Sequence, residues 1–98
     1  MKKELKFKTK VWLYPGMAGW HFVSLPKKQA EEIKKSFGKN VKGWGSIPVK
    51  VKTGKTIWET SIFPDKKSGT YLLPIKAKVR KIESIYEGDE IKIEIKIV

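Results

Sequence analysis

His21 is the only histidine and cysteine is absent, so neither a thiolate metal site nor a His–Cys cluster can be assembled from this sequence. Ser24, Ser46 and Ser61 stand outside any G-x-S-x-G elbow, and a serine nucleophile would have to take His21 as its base. Gly54-Lys55-Thr56 has the ending of a phosphate-binding loop, but Val49 stands where the first glycine is needed. Its setting is also strand–turn–strand rather than strand–loop–helix. Glu59 and Asp65 remain as a candidate carboxylate pair for acid–base work, one that only folding can bring together. No catalytic residue, metal or cofactor is expected.

Binding chemistry is better represented. Lys and Arg number 22 against 10 Asp and Glu, a formal charge of +12 that would draw in any polyanion. Arg80 is the only arginine, and lysine serves phosphate as a point charge without the fork that reads base edges. Nonspecific polyanion binding therefore fits better than sequence reading. The competing explanation is composition: richness in Lys, Glu and Ile without Cys is also a thermophile's usage. Lys76 and Arg80 are four apart on a helical pattern, hence on one face, with Lys78 and Lys81 beside them. Lys66, Lys67, Lys76, Lys78, Arg80 and Lys81 are the candidate polyanion contacts. Trp12, Trp20, Trp44 and Trp58 are either core residues or the lining of a groove that stacks bases or holds a small anion. The small-anion alternative uses Trp58, Ser61, Lys76 and Arg80.

The elements that must position these groups follow from periodicity. Leu5 to Leu13 alternates, with Leu5, Phe7, Thr9, Val11 and Leu13 opposite Lys6, Lys8, Lys10, Trp12 and Tyr14, and Pro15-Gly16 breaks the strand. Gly19 to Leu25 reads as a second, antiparallel strand. Pro26 to Phe37 is a helix with Pro26, Ala30, Ile33 and Phe37 on one stripe and Gly38 as its stop. Lys39 to Gly45 is a basic loop carrying Trp44. Ser46–Thr53 and Thr56–Phe63 make a hairpin through Gly54-Lys55, and residues 64–69 form an exposed loop. Thr70–Leu73 is a short strand. Pro74 is expected at the first position of a helix whose stripe is Ile75, Val79 and Ile82. Glu87-Gly88-Asp89 then turns into the alternating strand Ile91, Ile93, Ile95 and Ile97.

The order of elements occurs twice. Leu25-Pro26 and Leu73-Pro74 open helices 48 positions apart, each behind a short strand and an aromatic strand. Pseudo-repeats over roughly 5–53 and 55–98 are expected, within one domain spanning 1–98. The fold class expected is mainly β: a small closed or split β-barrel of six or seven strands from a duplicated unit, capped by two short α-helices. No run of apolar residues is long enough for a membrane span, and MKKELKFKTK has no apolar stretch behind its lysines. A cytoplasmic protein is expected, monomeric or alternatively a homodimer.

The segments GWHFVSLP (19–26), WGSIPVKV (44–51) and WETSIFPDKKSGTYLLPIKAKVRK (58–81) strongly resemble the domain of unknown function 1905 family, over essentially the whole chain. That resemblance implies a small helix-capped β-barrel with an internal duplication, and no established reaction. Leu73-Pro74, the basic helix with Arg80, Gly88-Asp89 and the last strand are also similar to the AbrB/MazE swapped-hairpin domain, a DNA-binding barrel usually built by two chains. Here the Pro-to-Gly spacing is about two residues longer than that family's usual motif, and Gly45-Ser46 stands in place of Gly-Asp in the first half. From the net charge and the AbrB-like segment, we expect a non-enzymatic binding domain, for nucleic acid or another polyanion, with a small anionic ligand as the alternative.

Overall fold

The computed structural model describes residues 3–16, 19–37 and 45–97; Gly38, Trp44 and the rest of the basic loop before Gly45 lie outside them. Among the described residues, seven strands and two helices run in the order β1 (Lys3–Lys10), β2 (Trp12–Leu13), β3 (His21–Ser24), α1 (Lys27–Phe37), β4 (Ile47–Thr53), β5 (Thr56–Asp65), β6 (Thr70–Pro74), α2 (Ala77–Glu83) and β7 (Glu90–Ile97). The strands form one antiparallel sheet in the order β1-β7-β4-β5-β6-β3-β2. Its two edges are consecutive pieces of one strand. Val11 N–H still donates to Asp89 C=O (2.9 Å), while Trp12 already pairs with Phe22 on β3. The sheet thus curls into a split barrel, its two ends joined where the bent first strand passes from β7 to β3.

Alternation sends Leu5, Val49, Val51, Ile62, Ile93, Ile95 and Ile97 inward, all buried, because these strands have one wet face. On the outer face of β1 and β7 the charges pair across strands: Lys6 with Glu94 (3.9 Å), Lys8 with Glu90 (3.3 Å) and Lys96 with Glu4 (3.4 Å). That region is a solvated ladder, neutralised only in part, since Lys10 and Lys92 stand on the same face outside these pairs. α1 buries Ala30 and Ile33 and packs on β6. Pro26, expected in the same stripe, is instead exposed, its carbonyl accepting the first helical bond from Ala30 N–H (2.9 Å). Among the described residues no helix is long and apolar enough to cross a membrane.

The pairing is unchanged when β1/β2, β3, α1 and β4 are exchanged with β5, β6, α2 and β7. Leu25 N–H bonds Tyr71 C=O (3.0 Å) and Ile75 N–H bonds His21 C=O (2.9 Å), which equates Leu25 with Ile75. Pro26 therefore corresponds to Lys76, two residues beyond the Pro74 that the Leu-Pro spacing suggests. Pro74 is the last residue of β6, paired with Phe22, and Lys76 is the N-cap of α2. The bonds at Val23–Leu73 and its neighbours alternate, so Pro74's nitrogen points away from β3, and β5 pairs with β6 only as far as Leu72. A proline is tolerated there because no ladder donor is needed.

The stripe of α2 also differs from its expected form. Ile75 and Val79 are buried, but Ile82 is 59% exposed. The helix has only seven residues and ends at Ser84 in the left-handed region (φ 53°), which swings Ile85 into the core instead. Beside it, Glu83 reaches the β4–β5 hairpin and accepts Thr56 Oγ1 (2.5 Å) and Lys55 N–H (3.4 Å). The Gly-Lys-Thr turn thus holds a carboxylate of its own chain. Gly54 sits at φ +58°, and a β-carbon there would collide with the Glu83 carboxylate. Gly54→Ala is expected to cost about 1–2 kcal/mol from the left-handed backbone alone, read as a lower denaturant midpoint.

β6 does not alternate: all five residues are buried. Its inner face, with Leu73, lies in the core, and its outer face lies under aromatic rings. Burial of Tyr71 raises its phenol above the ordinary value of 10. A proton held more tightly in the folded than in the unfolded chain means stability is lost as pH rises past 10. Tyr71→Phe is expected to flatten that alkaline loss, measured by urea denaturation at successive pH values.

Candidate functional site

The outer face of β2, β3, β6 and β5 carries two rows of directly paired residues, Trp12–Phe22–Pro74 and Ser24–Leu72–Phe63. Residues in register point the same way, so these side chains share one surface. Tyr14 and Trp20, each two positions along from a member of the first row, extend it. Trp12 lies 5.8 Å from Tyr14 and 5.6 Å from Phe22 between ring centroids, and Tyr14 lies 5.5 Å from Phe22. Trp20 stacks on Phe22 at 5.8 Å and 23°. Trp12 is anchored by its indole N–H to Ser24 Oγ (3.1 Å).

This layer has a structural duty, since it buries Phe22, Leu72 and Pro74. Its own outer surface is nevertheless open. Trp20 is 49% exposed and Phe63 38% exposed, an apolar face that packing alone does not account for. Lysines bracket it. A cavity of about 240 Å³ at one end is lined by Trp12, Tyr14, Pro15, Asp65 and Lys67; another, of about 290 Å³, is lined by Trp20, Lys76 and Arg80. Asp65 offsets part of the charge at the first end, whereas at the second Lys76 and Arg80 make no ion pair among the described residues, and rings beside such cations suit a planar, anionic ligand.

The candidate residues read from the sequence scatter around this face. Lys67, Lys76 and Arg80 border it. Lys66 lines a different cavity beside α1, with Lys34 and Tyr71. Lys81 lies beyond Arg80 beside Tyr86, and Lys78 is exposed on α2. Trp58 and Ser61 are separated: Trp58 pairs with inward Val51, Ser61 with outward Pro48, so they occupy opposite faces of β5. Trp58 packs against the core, and its indole N–H is buried with no acceptor among the described residues. Strand parity thus separates Trp58 from Ser61 within the set of Trp58, Ser61, Lys76 and Arg80. Glu59 and Asp65 do not form a pair either: six residues along one strand is about 20 Å. Asp65 instead accepts Ser68 N–H (3.2 Å) and Ser68 Oγ (2.6 Å) to shape the β5–β6 turn.

His21 and Arg80 are joined. His21 Nδ1 lies 2.9 Å from Gly19 C=O, which can only accept, so Nδ1 carries the proton. Its Nε2 then faces Arg80 Nη1 at 3.5 Å. Arg80 also donates through Nε to Ile75 C=O (3.2 Å) and through Nη2 to Gly19 C=O (3.4 Å). The guanidinium thus ties α2 to the β2–β3 connection. Tyr14, Phe22, Phe63 and the Gly19 carbonyl were absent from the sequence-derived set. The i, i+2 spacing in Trp12/Tyr14 and Trp20/Phe22 is the signal that could have found the first two.

No curated protein matches the sequence at a significant level. A helix-capped split barrel of this pairing, with the spacing and segments seen here, falls within a family match that spans residues 7–95: the chain belongs to the family described as Domain of unknown function (DUF1905).

Proposed function

We propose that the domain is a non-enzymatic binding module for single-stranded nucleic acid, engaged through the outer face of β2, β3, β6 and β5. The observation that carries this reading is the ring layer with Trp20 half exposed, bracketed by Lys67 and by Lys76 with Arg80. Every unpaired base offers a π-face to such rings, and the lysines meet the phosphates between them. A duplex keeps its bases stacked on one another and has no comparable use for exposed rings. The outer face of β1 and β7 is partly offset by its own carboxylates, with Lys6, Lys8 and Lys96 paired to Glu94, Glu90 and Glu4. A dearth of arginine fits affinity without sequence preference.

The test is fluorescence polarisation of labelled single-stranded and duplex DNA and RNA of the same sequence, from about 50 to about 300 mM salt. Single strands are expected to bind more tightly than duplexes, with affinity falling steeply as salt rises. Duplex binding as tight as single-strand binding, or no salt dependence, would remove this reading.

A further inference from the structure

Arg80 stands between two cavities. The one beside Trp20 and the one beside Tyr86 share Gly19, His21, Ala77 and Arg80 in their walls. The shared wall is the tie already described, guanidinium to Ile75 and Gly19 carbonyls and to the His21 ring. The cavity beside Trp20 adjoins the aromatic face through Trp20, which belongs to both, and Arg80 lies on its border with the second cavity. At about 290 Å³ it is at or below the roughly 300–1,000 Å³ of sites that engulf a whole ligand. It suits one group of a longer one.

Its cations are prepared for an anion. Lys76 Nζ is held by Glu59 C=O at 3.1 Å, and Arg80 by carbonyls. Neither makes an ion pair among the described residues. Carbonyls fix the two heads without cancelling their charge. One N–H of each terminal nitrogen of Arg80 is left over, and so are donors on Lys76.

We infer that this cavity receives the terminal phosphate monoester of a single strand whose bases lie on the aromatic face; the inference rests on the reading proposed above. A monoester carries about −1.5 to −2 charges near pH 7, against one for a diester, so the paired cations favour a strand end over an internal phosphate.

The experiment compares one internally labelled oligonucleotide carrying a 5′-phosphate, a 3′-phosphate or hydroxyls at both ends, against the full chain and Lys76→Ala. One phosphorylated form is expected to bind about tenfold more tightly than the hydroxyl form. The advantage is expected to vanish in Lys76→Ala and to shrink below about pH 6, where the monoester takes up a proton. Lys76 is exposed, so circular dichroism of this variant should remain that of the parent. Equal affinity for all three ends overturns the inference and leaves the aromatic-face reading intact. An advantage that persists in Lys76→Ala overturns it as well. Failure of every oligonucleotide to bind removes both.

Discussion

Leu73→Ala is expected to lower the unfolding free energy by about 4 kcal/mol, a large part of the roughly 5–15 kcal/mol a domain of this size possesses. Leu73 has no exposed surface and faces Val23 at the centre of the β3–β6 pair, where the two halves of the barrel meet. Strands β3 and β5 flank it in the sheet, and α1 packs against the same strand. Little around the vacated volume can collapse into it, which is the circumstance in which truncation costs most. Urea denaturation should show a lower midpoint at unchanged slope. Ile82→Ala is the matching control: at 59% exposure it should change stability by about 0.5 kcal/mol or less. Equal losses for the two would contradict the placement of the core.

Trp20→Ala is expected to weaken single-strand binding by about 1–3 kcal/mol, or roughly 5- to 150-fold, because that is what one base stacked on an aromatic side chain contributes. The loss should come with little change in stability, since about half of the side chain is already in water and its partner Phe22 remains covered by Trp12 and Tyr14. Trp12 is a poorer probe, because its bond to Ser24 and its three-ring contact also hold the fold. Lys67→Ala should act differently, flattening the salt slope by about 0.7 while leaving the preference for single strands in place. Polarisation titrations at several salt concentrations separate the two effects. Identical salt-dependent losses for both substitutions would argue that the rings contribute nothing beyond charge.

Much of the fold was legible because most strands are half-buried. β4 and β7 alternate Ile or Val with Lys or Glu, so their identity and inward face follow from period two. β6 carries no such signal, being covered on both sides, and was recognisable only from its position between a turn and a helix. The helix register after it was misplaced because Pro74 reads locally as a helix start, whereas an antiparallel partner on one side only makes it a strand end. Ile82 fitted a helical stripe that stops one residue later at a left-handed serine, a conformation the sequence does not advertise.

The candidate site was less legible, for a different reason. Its rings come from β2, β3 and β5, and only the cross-strand register shows that Trp12, Phe22 and Phe63 share a face. The separation of Trp58 from Ser61, by contrast, was present in their odd spacing along one strand. The Arg80 tie joins residues about sixty positions apart through backbone carbonyls, for which no local pattern exists.

Binding at the aromatic face would show in ¹H–¹⁵N correlation spectra of the full chain titrated with a short single-stranded oligonucleotide. The indole N–H signals of Trp12 and Trp20 and the amides of Phe22, Phe63 and Lys67 are expected to shift together. The Trp58 indole, packed against the core, should stay in place. Shifts confined to the outward lysines of β1, β4 and β7, with the Trp20 indole unmoved, would contradict the account.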